Sequence, residues 1–394
     1  MFKKVIAVVL TALSMFSIAA GQVSAASEES VSAEAAAETA VQRVSNTLAE
    51  DEDALVSTYA DQFEQLTYED AESGLSIMYN LYLPEGYDES ASYPMVVFIA
   101  DSSTVGNDAT ISLTQGLGAL VWASDEWQAA NPTIVAVPTY TETVLDDHSG
   151  YTTSEYVELT KRFIDYMSNE YSVDNDRIYG TGQSMGCMTT LVLASEYPDL
   201  YAACMFVDGQ WDVSTLSGLE DQTFVYFAAE DDERAWTGAQ EVMAMFDEDG
   251  VDYTYAQWDG AWTADELSAA TAELFTEGTD RYFISWKTGT ITAETGGSDM
   301  GSFQGSGAGG KAKGRGEKPL RDKGGFENTV EGKAEESGSP EASEAMIPEG
   351  IGGPAENGDM TGMAGGGSSS VHMASFDYAY NCIAVMEWLF GQTR

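Results

Sequence analysis

From residue 62 the chain alternates. In "QFEQLTYEDAESGLSIMYNLYLPEGY" apolar and polar residues take turns, and Ser73-Gly74 interrupts them, which predicts two half-buried strands joined by a turn. The pattern then changes. "YPMVVFIA" (93–100) and "TIVAVPTY" (133–140) are unbroken apolar, β-branched runs, as expected of strands buried on both faces. Helical spacing takes over at 153–170, where Tyr156, Leu159, Phe163, Tyr166 and Met167 share one face. "RIYGTG" (177–182) reads as a third buried strand. A helix follows from Ser184 to Tyr197, with Pro198 as its stop. "AACMFVDG", "TFVYFAAE", "VDYTYAQW" and "RYFISW" supply further strands, with helices at 235–248 and 263–277 between them. Strands alternating with helices predict an α/β fold with a mostly parallel sheet covered on both sides.

Residues 296–370 break this pattern. They are rich in Gly, Ser, Glu and Pro, and Phe303 and Phe326 are their only aromatics. Such a segment buries too little apolar surface to offset its ordering entropy, so it reads as a long disordered insertion. It contains many lysines, but its acidic residues outnumber its basic ones, which argues against a nucleic-acid arm. Structure is expected to resume with "SFDYAYNCIAVMEWLFGQ". There Ala379, Ile383, Met386 and Phe390 have helical spacing, Ser375 is the N-cap candidate, and His372 lies in the loop before it.

The first 25 residues change the compartment rather than the fold. Lys3 and Lys4 precede the apolar stretch "VIAVVLTALSMFSIAA", and Val23-Ser24-Ala25 offers a small-residue cleavage site, the layout of a secretory signal. The apolar run is short for a membrane span, and no cysteine at the cleavage site suggests lipid anchoring. The expectation is export, with no membrane span in the mature protein. The expected organisation is a signal peptide at 1–25, an acidic Ala/Glu-rich segment at 26–60 and the α/β domain at 61–295. The insertion at 296–370 follows, and the domain is completed at 371–394.

The whole chain has 394 residues, 43% of them hydrophobic, and a formal net charge of −48. An acidic surface of that size repels phosphates, so nucleic acid and anionic membranes are excluded as partners. Cys187, Cys204 and Cys382 are an odd set lying in apolar runs, which reads as buried thiols rather than a disulfide framework. The sequence has no Cys/His zinc spacing, no Walker loop and no EF-hand pattern, and only two histidines. No cofactor and no metal are expected.

The chemistry gathers around Gly182-x-Ser184-x-Gly186. By itself the spacing is weak in a chain with 39 glycines, and Ser184 could be an ordinary turn serine. Its context strengthens it. Ser184 falls where a buried strand meets a helix, which is where a nucleophile elbow is built. The turn is sharp, so its neighbours must be small, and the helix beneath offers free N–H groups and a favourable dipole. A serine hydroxyl needs a base to take its proton. Where such an elbow supplies the nucleophile, its partners follow in the order Ser, acid, His. His148 precedes Ser184, so His372 is the expected base and His148 a structural or rim residue. Glu230, Asp231 and Asp232 stand at the end of "TFVYFAAE", and one of them is expected to orient the imidazole. The oxyanion hole is expected from the Met185 N–H and from the loop after "PMVVFIA", at Asp101 and Ser102. Gln183, Trp211 and Trp236 are candidates to contact substrate, with an ordinary core position as the alternative for both tryptophans.

Three blocks together resemble the α/β-hydrolase superfamily. More narrowly, they resemble the secreted esterases and peptidases grouped with polyhydroxybutyrate depolymerases, feruloyl esterases and prolyl-oligopeptidase-like hydrolases. "DNDRIYGTGQSMGCMTTLVLASEYPDLYAACMFVDGQWD" is similar to that group's nucleophile block, and "VHMASFDYAYNCIAVMEWLFGQ" to its histidine block. "AAEDDERAWTGAQ" is similar to its acid-bearing turn, and this likeness favours Asp232 over Asp231. The resemblance covers 62–290 and 371–394, and the insertion has no counterpart in it. It departs at the second oxyanion donor, where many relatives carry His-Gly and this chain has Ala100-Asp101-Ser102. It implies a twisted, mostly parallel sheet flanked by helices and a serine hydrolase acting on small-molecule or polysaccharide-linked esters. A serine peptidase and a non-catalytic binding protein on the same scaffold are the alternatives. Acyl specificity and oligomeric state are not written in these patterns.

Overall fold

A computed structural model describes residues 52–148, 150–292 and 366–394, with side chains in the last segment from 370 onward. The signal-peptide reading, most of the acidic N-terminal segment and nearly all of the insertion lie outside the described residues. Eleven strands are present among the described residues: β1 (Glu64–Glu69), β2 (Ser76–Tyr82), β3 (Tyr93–Ile99), β4 (Ile134–Thr139), β5 (Leu145–Asp146), β6 (Thr152–Thr153), β7 (Val173–Gln183), β8 (Ala203–Val207), β9 (Phe224–Ala229), β10 (Thr254–Trp258) and β11 (Arg281–Trp286). Nine of them form one sheet in the order β1-β2-β4-β3-β7-β8-β9-β11-β10. From β4 to β10 neighbouring strands are parallel. At the other edge β1–β2 and β2–β4 run antiparallel. The turn predicted near Ser73-Gly74 joins β1 to β2, and Gly74 takes φ +73° there. The fold is thus of the α/β-hydrolase class, with a mostly parallel central sheet flanked by helices.

Besides helical residues 52–59, the α-helices among the described residues are α1 (Asp125–Ala130), α2 (Tyr156–Glu170), α3 (Met185–Glu196), α4 (Glu233–Asp249), α5 (Ala264–Leu274), α6 (Gly366–Tyr380) and α7 (Ile383–Phe390). The sheet divides the core because its side chains alternate between faces. On β9, Phe224, Tyr226 and Ala228 pack with α2, α3 and α4, whereas Val225, Phe227 and Ala229 pack with α5, α6 and α7. Burial on both sides explains why β3, β4, β8 and β9 read as continuous apolar runs. Cys187, Cys204 and Cys382 are buried and unpaired, as expected. Among the described residues no helix is long and apolar enough to cross a membrane.

Two differences from the sequence reading concern the C-terminal part. His372 is not in a loop: α6 begins at Gly366 and carries it, so residues 366–370, assigned above to the insertion, are helical. The run "GGGSSS" has low helix propensity and hides this start. Ser375 is accordingly not an N-cap. It lies inside α6, where its hydroxyl donates to the His372 carbonyl at 2.8 Å. The predicted single last helix is also two, separated at Asn381-Cys382.

Strand order fixes where a site can lie. From β3 the chain goes to β4 on one side of the sheet, and β7 lies on the other, so the direction of winding switches between β3 and β7. Ligand crevices in open α/β sheets form outside the carboxyl ends of strands at such a switch. Asp101-Ser102 follow β3 there and Ser184 follows β7.

Candidate active site

β7 passes into α3 through a single residue, Ser184, at φ +51° and ψ −117°. That conformation is costly for a residue with a Cβ and is kept only where the surroundings enforce it. The enforcement is crowding. A Cβ on Gly186 would stand 1.8 Å from the Ile99 carbonyl oxygen, and one on Gly182 would stand 2.5 Å from the Gly186 carbonyl carbon. The end of β3, the end of β7 and the start of α3 therefore touch through backbone alone. The Ser184 N–H donates to the Val207 carbonyl at 3.1 Å, which pins the turn to β8. Met185 is the first residue of α3, where backbone N–H groups have no partner within the helix.

His372 Nε2 lies 2.9 Å from Ser184 Oγ. On the other ring nitrogen, Nδ1 is hydrogen-bonded to Asp232 Oδ2. Asp232 is buried and N-caps α4, its Oδ1 accepting the Ala235 N–H at 3.4 Å. The two other acids of the turn are engaged elsewhere. Asp231 Oδ2 accepts the Gly289 N–H at 2.6 Å, and Glu230 accepts from Gln257, Ser285 and Thr288. The structure thus brings together Ser184, His372 and Asp232, and not Asp231. Burial disfavours the charged His372 imidazole, but the hydrogen bond and charge of Asp232 outweigh it, and its pKa rises above the ordinary histidine value.

A cleft of about 820 Å³ opens above these groups, lined among others by Ser184, Met185, Asp232, His372 and Ser102. Ser102, like Met185, borders the cleft. Asp101 is buried, with its Oδ1 accepting the Ser103 N–H at 2.7 Å, so its side chain is spent on the loop. The three candidate substrate contacts lie elsewhere. Gln183 is buried and donates through Nε2 to Asp101 Oδ2 at 3.2 Å, fastening β7 to the β3 loop. Trp211 is in the core with Tyr151 against its ring at 5.1 Å, and Trp236 packs against Tyr255 at 5.9 Å. None of the three lines the cleft.

His148, expected as a structural or rim residue, lies in the rest of the cleft wall, and the sequence gives no sign of the other residues there. Thr143, Leu145, Asp146, Asp147 and His148 come from the β5–β6 hairpin, and Met188, Gln210 and Arg234 complete it. Asp147 is ion-paired with Arg234 and accepts from Gln210. The sequence signal for this network is slight, since three loops far apart in the chain supply it. His148 is exposed at the cleft mouth, with Nδ1 3.0 Å from Asp146 Oδ1. Asp146, Asp147 and His148 bring ligand atoms within 4.8 Å of one another. The Arg234 guanidinium already occupies Asp147, and its charge opposes a cation there.

Comparison with known proteins gives the site a family context. A family model described as "Putative esterase" matches residues 71–278, more than half of the chain. Acetylxylan esterase A of Emericella nidulans is 33% identical over 79 residues, which cover 16% of this chain and 26% of that protein. The chain therefore spans about a quarter of that relative. The crystal structure of a thermostable esterase is similar at 24% identity and a TM-score of 0.47, covering 59% of this chain and 56% of that one. A ferulic acid esterase from Anaeromyces mucronatus in complex with ferulic acid is similar at 16% identity and a TM-score of 0.34, covering 49% and 80%.

Proposed function

Because the chain belongs to the esterase family, we propose that it hydrolyses carboxylic esters through a triad of Ser184, His372 and Asp232. One observation carries this reading: a single imidazole lies 2.9 Å from the Ser184 hydroxyl through one nitrogen and is hydrogen-bonded to Asp232 through the other. His372 takes the proton from Ser184 as its Oγ attacks the ester carbonyl. Asp232 holds the imidazole in the tautomer that can accept that proton and stabilises the imidazolium that results. The oxyanion of the tetrahedral intermediate is met by the Met185 N–H, with a second donor from the Ser102 loop. Removal of one such donor typically costs about 2.7–4 kcal/mol of barrier. His372 then returns the proton to the departing alcohol. Water, activated by the same imidazole, cleaves the acyl-enzyme.

The substrates proposed are acyl or feruloyl esters on polysaccharides, or small soluble esters. The acetylxylan esterase relative supports a carbohydrate-linked ester. The cleft wall supports it as well, since it sets hydroxyl, amide and charged groups from Thr143, Gln210, Asp147 and Arg234 beside the apolar Leu145 and Met188. The basic and apolar start of the sequence, ending in Val23-Ser24-Ala25, supports export of the enzyme.

The test sets an ester against an amide. The purified protein is offered p-nitrophenyl acetate, acetylated xylan and peptide p-nitroanilides. Ester cleavage that disappears in Ser184→Ala is expected, with the anilides intact. Cleavage of the anilides in preference to the esters would favour the peptidase alternative, and turnover of neither would favour a binding protein.

A further inference from the structure

Asp208 is a carboxylic acid that the triad does not use, yet it sits where the triad is held together. It follows β8 directly and is 0% exposed. Its backbone adopts φ +44°, and Ser184 is the only other described non-glycine residue with a positive φ. Oδ1 accepts the Ala229 N–H at 2.7 Å, at the end of β9 just before the acid turn. Oδ2 is sealed from solvent with no hydrogen-bond partner. The Ser375 hydroxyl lies beside this carboxyl. That hydroxyl spends its own proton on the His372 carbonyl, which leaves its oxygen free to accept.

The groups facing Asp208 come from every element around it. Asp232 approaches from the turn after β9, Tyr226 from β9, Cys187 from α3 and His372 from α6. None is a lysine or arginine. An ionised Asp208 would be a second negative charge beside Asp232 with no water to solvate it, which is expensive. Burial first, and the charge of Asp232 second, push its pKa up to about 7, against the smaller opposing pull of the Ala229 N–H, the Ser375 hydroxyl and His372.

We propose that Asp208 is a positioning residue that works as a neutral acid. Its proton bridges to Ser375 Oγ, whose hydroxyl donates to the His372 carbonyl. The acid turn and the helix carrying the base are thereby tied together without a second charge next to Asp232. The proposal rests on the triad reading above. Ionisation of Asp208 removes the bridging proton and adds the unwanted charge, so activity falls on the alkaline side. Asparagine cannot ionise, yet it offers an acceptor for Ala229 and a donor for Ser375.

The test measures kcat and KM for p-nitrophenyl acetate across pH in the full chain, for the wild type, Asp208→Asn, Ser375→Ala and Ser184→Ala. The wild type is expected to show an alkaline decline. Asp208→Asn should keep kcat within about threefold below that decline and lack the decline itself. Ser375→Ala should lower kcat by about tenfold with KM unchanged and shrink the decline to the part caused by the charge beside Asp232, since the bridge is already gone. A folded Asp208→Asn that loses more than about a hundredfold, or that keeps the wild-type decline, overturns the proposal. If Asp208→Asn does not fold, Ser375→Ala decides: wild-type kcat with the wild-type decline overturns the proposal. Ser184→Ala separates the two levels. An active Ser184→Ala removes the triad reading and this proposal with it. An inactive Ser184→Ala with an unchanged decline in Asp208→Asn removes this proposal alone.

Discussion

His372 Nε2 stands 2.9 Å from Ser184 Oγ although 188 positions separate the two residues. The contact is held from both ends. Ser184 is fixed by the crowded junction of β3, β7 and α3. His372 is fixed because α6 is anchored through the residues after it. Phe376, Ala379 and Tyr380 are buried, Tyr380 Oη lies 2.9 Å from Thr181 Oγ1 on β7, and Asp377 Oδ1 accepts the Leu117 N–H at 2.7 Å. Replacing Tyr380 by Phe should therefore destabilise the protein by about 1 kcal/mol. It should also lower kcat several-fold with little change in KM. Thermal unfolding together with steady-state kinetics checks both effects.

The acid turn makes a sharper distinction. Asp232→Asn keeps the shape but leaves the imidazole without the partner that fixes its tautomer, and kcat should fall by about 10⁴. Asp231→Asn alters an exposed loop contact to Gly289 and should cost less than about fivefold. Parallel kinetics on the two variants measure the contrast.

A pH profile follows from the state of His372. In the proposed triad His372 must be neutral to accept the Ser184 proton, and Asp232 raises its pKa. Activity should therefore rise through a limb lying above about 6.5, the ordinary histidine value. In Asp232→Asn the residual activity should have that limb at lower pH. The dependence of kcat/KM on pH reads both, and a limb unmoved in the variant would count against Asp232 as the source of the shift.

Gly186 tests the geometry beneath Ser184. Its Cβ would stand 1.8 Å from a backbone oxygen, which no side-chain rotation can relieve. Gly186→Ala should cost about 1–3 kcal/mol or more of stability and most of the activity. A folded, fully active variant with an unchanged melting temperature would contradict the close approach of β3 and α3.

The central sheet was legible because its strands are buried on both faces. "YPMVVFIA", "TIVAVPTY" and "TFVYFAAE" have no other stable use, and each forms a strand within a residue or two of its apolar run. The serine was legible because the glycines flanking it have steric work that no other residue could do. The acid was less so. Glu230, Asp231 and Asp232 are equivalent by pattern, and only the partners that Gln257, Ser285, Thr288 and Gly289 offer to the first two leave Asp232 for His372. The start of α6 was hidden because glycine and serine are poor helix formers, so the helix owes its stability to packing further along. The cleft wall was hidden for a different reason. Asp147, Gln210 and Arg234 meet only in three dimensions, and nothing local to any of them announces the others. Trp211 and Trp236 are large aromatics near strand ends, but Trp211 is buried in the core and Trp236, half-buried on α4, packs against Tyr255 instead of facing the cleft. Asp208 is marked in the sequence only as an acid at a strand end between the serine and the histidine.

The most direct measurement is mass spectrometry of the protein after treatment with a fluorophosphonate. The account predicts a single adduct on Ser184, formed at near-normal rate in His148→Ala and slower by several orders of magnitude in His372→Ala. An unlabelled Ser184, or labelling that survives His372→Ala and fails in His148→Ala, would contradict it.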